Sequence, residues 1–293
     1  MNKDSKRLIA AVAAVQILLY HCWIPVFRYG TAAGSIERFL VAATYPAVDI
    51  YFFISAFTLA SRPVDDYPGF IKNRALKMLP LFFIALIAGR FMWFIPSIMV
   101  LYLVMPPLQK ICGKRPLLSF LLLMTGWAAL VYLVLGVIRP PFDMGIFLFR
   151  IPSMILGAYA VRFRDKLTAR SASIAGILLL AAGILLIYRF GYTDRLNVPF
   201  KGMFYLTGIP VMLGTVLLLD RLAENGIPRF MERLGSMTLE LYFSQMVLGT
   251  VLVSLLFRIT QSRLLVNAVS MAVIIAAAAV IKKLNDDLLK FSS

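Results

Sequence analysis

Apolar residues in this chain run for about twenty positions at a time, the length needed to cross about 30 Å of hydrocarbon, and short charged segments separate the runs. Eight runs stand out, over residues 8–27, 40–60, 117–138, 144–161, 174–188, 203–219, 237–257 and 264–281. The stretch 78–108 is too long for one straight span, and it reads as two short ones turning near Gly89 and Arg90 or as a broken re-entrant pair. The pattern predicts an all-α polytopic membrane protein with about ten transmembrane helices and both termini in the cytoplasm. All loops are short, so the expectation is a single membrane domain over 1–293 with no separate soluble domain. The first apolar run follows Lys3, Lys6 and Arg7 but is long and lacks a small-residue cleavage site, so it reads as a retained helix.

Composition supports this reading: 61% of the 293 residues are hydrophobic and 15% charged. The formal charge of +16 changes the picture only through its distribution. The ten-span topology puts 20 of the 30 Lys and Arg in cytoplasmic segments, including Lys110, Lys114, Arg164 and Lys166, and nine in outer loops, including Arg195; Arg150 is left inside a span. That is the positive-inside bias of a membrane protein, and it removes the case for a nucleic-acid surface. Cys22 and Cys112 do not make a disulfide framework, the single histidine excludes a His-based metal site, and no metal-ligand spacing occurs. No internal repeat is visible, which disfavours the inverted-repeat transporters.

Ionisable groups at bilayer depth are costly unless paired or functional. His21 lies about 20 Å from the cytoplasmic boundary, and Asp49 and Arg150 each about 17 Å. The three share one layer. Two readings stand side by side: His21 as a structural hydrogen-bonding residue beside a buried Asp49–Arg150 ion pair, or a site in which the carboxylate orients the imidazole. Glu240 sits near the cytoplasmic end of its span, in reach of water by snorkelling.

The block Val48-Asp49-Ile50-Tyr51-Phe52-Phe53-Ile54-Ser55-Ala56-Phe57, followed by Arg74-Ala75-Leu76-Lys77-Met78-Leu79-Pro80, resembles the integral membrane acyltransferase 3 family, whose members carry V-D-x-F-F-x-x-S-G-F and then R-x-x-R-x-x-P. Trp93-Phe94-Ile95-Pro96 with Tyr102 and Pro106, Arg150-Ile151-Pro152 leading to Gly157, and Leu234-Gly235 through Leu241-Tyr242 match further family segments in order. Four departures stand out. Ala10 occupies the place of an arginine eleven positions before the histidine, with Arg7 one turn away on nearly the same face; Lys77 replaces the second arginine; Ala56 replaces glycine; Gln245 stands where many members have histidine.

The resemblance implies transfer of an acyl group, commonly acetyl in the family, from cytoplasmic acyl-CoA to a hydroxyl of an extracytoplasmic glycan or lipid-linked sugar, in the inner membrane of a bacterium. On that reading His21 and Asp49 are catalytic, His21 as general base. Arg74, Lys77, Arg7 and Lys72 bind the donor phosphates, against the plainer alternative of a positive-inside loop. Arg150, Tyr102, Tyr242 and Gln245 belong to the intramembrane polar layer and acceptor passage; aromatics such as Tyr20, Tyr51 and Trp93 fit packing as well. The acyl-CoA is a substrate, and neither a resident cofactor nor a metal is implied. Two alternatives remain at this stage: a small-solute transporter or flippase using His21, Asp49 and Arg150 as a proton relay, and an inactive scaffold.

Overall fold

A computed structural model describes residues 1–62, 64–141, 143–163, 168–193 and 197–291, and all its regular elements there are helical. In chain order they are α1 (Lys3–Cys22), α2 (Ala32–Ala42), α3 (Ala47–Ala60), α4 (Tyr67–Ile87), α5 (Phe94–Lys114), α6 (Pro116–Val131), α7 (Gly145–Leu148), α8 (Ile151–Phe163), α9 (Ala169–Leu186), α10 (Ile209–Leu222), α11 (Arg229–Ser236), α12 (Thr238–Ser244), α13 (Thr250–Ile259) and α14 (Arg263–Phe291). Wider π-type turns continue α6 through Tyr132–Ile138, α9 through Ile187–Thr193, and α12 through Gln245–Gly249 into α13. Arg164, Lys166 and Arg195 lie outside the described residues, and so do the side chains of Pro106, Lys110, Cys112 and Lys114.

Among the described residues, seven helical stretches are long and apolar enough to cross a bilayer: Ala32–Ala60, Pro116–Ile138, Gly145–Arg162, Ala169–Thr193, Met203–Asn225, Thr238–Ile259 and Arg263–Asp287. Each corresponds to a predicted run. The 78–108 stretch is a helical hairpin, α4 then α5, and it does turn at Gly89, whose φ of +72° only glycine adopts without strain. Both helices extend past the apolar window into charged sequence, so each reaches 21 residues instead of forming a short span.

Two predicted spans need correction. The first helix ends at Cys22, not Phe27, because Pro25 removes a donor and residues 23–27 form an extended strap bonded to other elements. The second is broken at residues 43–46 ahead of Pro46, and its first half begins at Ala32, inside what the pattern assigns to an outer loop.

The helix α3 is apolar on all sides and occupies the middle of the bundle. Phe52, Ala56 and Leu59 pack into a core with Leu81 of α4, Ile95 of α5 and Ile155 of α8, while Ile50, Phe53 and Phe57 pack against Ile9, Ala13 and Met212 of α1 and α10. Lys6 Nζ lies 5.8 Å from the Phe57 ring, so the C-terminal end of α3 sits beside the N-terminal end of α1. At the outside of the bundle, the helix Pro116–Ile138 buries little of its surface against the rest of the protein.

Two motif glycines have a packing explanation. A Cβ at Gly157 on α8 would stand 2.3 Å from the Phe53 carbonyl oxygen of α3, and one at Gly235 on α11 would stand 2.1 Å from the Arg7 carbonyl oxygen of α1. Small residues let helix backbones touch where no hydrophobic force drives association in lipid. Gly157→Ala is therefore expected to lower stability by about 1–3 kcal/mol through overpacking. Gly126→Ala, on α6 with open space around it, should be neutral or stabilising by up to about 1 kcal/mol. Thermal unfolding of the two variants in detergent checks the contrast.

Candidate functional site

Asp49 lies in the first turn of α3, where the N-terminal end of the helix dipole favours a carboxylate. Arg150 sits at the joint between α7 and α8. Arg150 Nη1 donates to Asp49 Oδ2, Nη2 donates to the Tyr45 carbonyl oxygen (3.2 Å), and Ser153 Oγ donates to Asp49 Oδ1 (2.7 Å). The Tyr205 ring covers the guanidinium at 4.2 Å. Asp49 and Ser153 are fully buried and Arg150 is 2% exposed. Both oxygens of Asp49 are thus engaged by Arg150 and Ser153. Of the two sequence readings, the ion pair is the one formed, and the expected orientation of His21 by Asp49 is not.

His21 occupies the last turn of α1, is exposed, and meets the Tyr20 ring edge-on at 5.2 Å. The strap that follows it is tied down closely. Glu37 of α2 accepts from Trp23 Nε1 (2.9 Å) and from the backbone N–H of Val26 (2.8 Å) and Phe27 (2.9 Å). Asn267 of α14 exchanges two hydrogen bonds with the backbone of Ile24 (2.9 and 2.8 Å), and Arg263 donates to the Pro25 carbonyl oxygen (2.9 Å). Cys22 packs against Gly249. These bonds satisfy backbone groups that a continued helix would have satisfied itself, and they fix where α1 presents His21.

The cationic residues divide between two places. Arg74 on α4 lies 5.3 Å from each of the rings of Phe70 and Tyr102, which meet edge-on beside it, and no carboxylate among the described residues pairs with it. Contact with ring faces leaves the N–H groups of a guanidinium to donate. The Tyr102 hydroxyl in turn lies in hydrogen-bonding reach of Ser55 on α3, so three segments of the sequence motifs converge at one tyrosine. Lys77, half-buried, and Lys72, exposed, share this helix. Arg7 is elsewhere: it is ion-paired with Glu232 of α11, which fits a helix tie better than a replacement for the missing arginine. At the substituted position itself, Ala10 is core, and its carbonyl oxygen accepts from the Tyr51 hydroxyl (2.8 Å).

Tyr242 packs edge-on against Phe94 at 5.7 Å, and Gln245 opens the π-type turn after α12. Ser244 Oγ, Gln245 Nε2, Gln16 Oε1 of α1 and Ser270 Oγ of α14 are all buried without a hydrogen-bond partner among the described residues, while the Tyr242 hydroxyl lies in hydrogen-bonding reach of the Phe94 backbone. The three elements α1, α12 and α14 pack on one another. Unsatisfied buried groups on helices that pack on one another mark places where water or a polar ligand completes the bonding. Glu240, expected to snorkel, is instead 1% exposed and accepts from Asn285 Nδ2 of α14 (3.3 Å).

Sequence reasoning passed over Gln16, Glu37, Ser153, Ser244, Asn267 and Ser270. For Glu37 a signal existed, since Pro25 ends a helix and leaves donors that a nearby carboxylate can accept. For the serines there was none, because a serine inside an apolar helix most often bonds its own backbone.

Removing one member of a buried ion pair strands the other. Asp49→Ala or Arg150→Ala should each cost about 3–5 kcal/mol, whereas Asp49→Leu combined with Arg150→Met should recover most of that loss. Equilibrium unfolding in mixed micelles measures all three.

Comparison with known proteins adds one match. A family model described as an acyltransferase domain matches residues 90–283. That span includes Tyr102, Arg150, Tyr242 and Gln245 but begins after His21, Asp49 and Arg74, whose assignments rest on the sequence motifs and the geometry above. No curated protein and no solved structure matches. With two thirds of its length covered, on a bundle of apolar helices fit to span a bilayer, the chain belongs to the acyltransferase 3 family.

Proposed function

We propose that the protein is an O-acyltransferase of the bacterial cytoplasmic membrane that moves an acyl group, acetyl in the simplest case, from cytoplasmic acyl-CoA to a hydroxyl of an extracytoplasmic glycan or lipid-linked saccharide. The observation that carries this reading is a division of labour along the bundle in a member of this family. Arg74 and Lys77 lie toward the end where the chain begins, and His21 terminates α1 about 30 Å of helix away from Lys3.

In this reading the guanidinium edge of Arg74 and the ammonium of Lys77 hold phosphate oxygens of the donor, and Lys72 adds a solvated charge at the mouth. The pantetheine arm runs into the bundle and presents its thioester below His21. The imidazole of His21 accepts the proton of the acceptor hydroxyl as that oxygen bonds to the thioester carbonyl carbon. The tetrahedral intermediate then collapses, its C–S bond breaks, and the departing thiolate takes the proton from the imidazolium, leaving an ester and coenzyme A. Tyr242, Gln245 and the unpartnered groups beside them supply hydrogen bonds for a polar acceptor. Asp49 and Arg150 act as positioning residues, since the network they form fixes α3 against α8. The transport reading is disfavoured because a proton relay from His21 through Asp49 needs the two in contact, whereas Asp49 bonds Arg150 and Ser153 and His21 is exposed at the end of α1.

The test is acyl-CoA hydrolysis and binding by the purified protein. His21→Ala should lower turnover by about 100-fold or more with donor affinity kept, the range of a lost general base. Arg74→Ala should raise the donor KM about tenfold or more with turnover largely retained, as expected for one lost charge-assisted bond. A His21→Ala protein as active as wild type contradicts the base assignment.

A further inference from the structure

One large cavity lies apart from these groups. It has a volume of about 840 Å³, within the range of about 300–1,000 Å³ typical of ligand sites, and it lies between α3, α6, α8, α9 and α10 near the start of the chain. Its walls are apolar: Phe53 and Phe57 of α3, Phe120 of α6, Leu156 of α8, Leu179 of α9 and Leu213 of α10. Its rim is different in kind, with Asn2, Asp220, Arg221 and Glu224 gathered at one end.

We propose that this cavity holds a hydrocarbon chain of a membrane lipid, inserted sideways from the bilayer between α6 and α9, with the lipid headgroup at the polar rim. An empty apolar cavity of this size forfeits dispersion contacts along its whole lining, and water does not repair the loss because apolar walls offer it no hydrogen bonds. At bilayer depth the available filler is an acyl chain. The two flanking helices belong to the lipid-facing layer: α6 packs on α5 and α8, α9 packs on α10, and Leu117 and Leu178 are 72% and 64% exposed. A chain therefore passes from bulk lipid into the cavity without leaving an apolar surface.

The rim separates this occupant from the acyl donor. Asp220 pairs with the Met1 ammonium (3.8 Å) and Glu224 with Arg221 (2.6 Å), so among the described residues of the rim the charges balance, without the cation excess that the phosphates of coenzyme A need. The lipid site is distinct from the donor site at Arg74. Its occupant acts through structure, bracing Phe53 and Phe57 one and two turns along α3 from Asp49.

Native mass spectrometry of the full chain, released from mild detergent, tests the proposal. Wild type should retain one phospholipid, and Ala160→Phe and Ala172→Phe, which push a ring into the cavity, should retain none while still hydrolysing acyl-CoA. A phospholipid with a photoreactive group in its tail should crosslink wild type at peptides containing Phe120, Tyr159 or Leu213, a readout that holds even if a variant fails to fold. Absence of retained lipid together with crosslinks spread over the outer surface overturns the proposal. Crosslinking abolished by a long-chain acyl-CoA but unaffected by excess phospholipid also overturns it, by assigning the cavity to the donor. Failure of the acyltransferase reading would show instead as no thioester turnover, with lipid retention unchanged.

Discussion

A charge pair buried in a membrane protein must be mutually satisfied or it unfolds the region around it, and here that pair is Asp49 with Arg150. The two residues come from helices 101 positions apart in sequence, and their bond, with Ser153 and the Tyr45 carbonyl as further partners, sets how α3 meets α8. The close approach at Gly157 depends on that register, since it lets the two backbones touch one turn further along. From this central helix the rest of the site is disposed outward: Ser55 meets Tyr102, which lies against Arg74, on one side, and Tyr51 reaches Ala10 of α1 on the other.

Apolar run length made most of the architecture readable from sequence, because lipid requires each crossing to satisfy its backbone internally and only a long apolar helix does so. The same rule misplaced the ends of α1 and α3. Hydropathy does not register that Trp23 to Phe27 finds its hydrogen bonds on Glu37, Asn267 and Arg263, so an apolar strap counts as helix. Nor does it register that the break before Pro46 turns one run into two helices.

The candidate site was legible where a motif fixed it and illegible where distant helices built it. Depth along the helices brought Asp49 and Arg150 to one layer, and the structure joins them. Depth also grouped His21 with them, but level in the membrane is not contact, and α1 carries His21 to an exposed position at a strapped end. Arg7 lies on the face that periodicity predicts, yet Glu232 of α11 claims it, and no spacing within α1 foretells a partner 225 residues away. Orphaned polar groups and a lateral apolar cavity are properties of assembled surfaces, so neither leaves a trace in a linear pattern.

The proposed chemistry needs a donor received at the Arg74 end and a base held at the His21 end of one bundle. Sided turnover in oriented proteoliposomes examines that directly, with a membrane-impermeant acyl-CoA supplied to one face at a time. Consumption of the thioester only when it is supplied on the face nearest Arg74 and Lys77 is the predicted result. Equal consumption from both faces, or consumption from the His21 face alone, would contradict it.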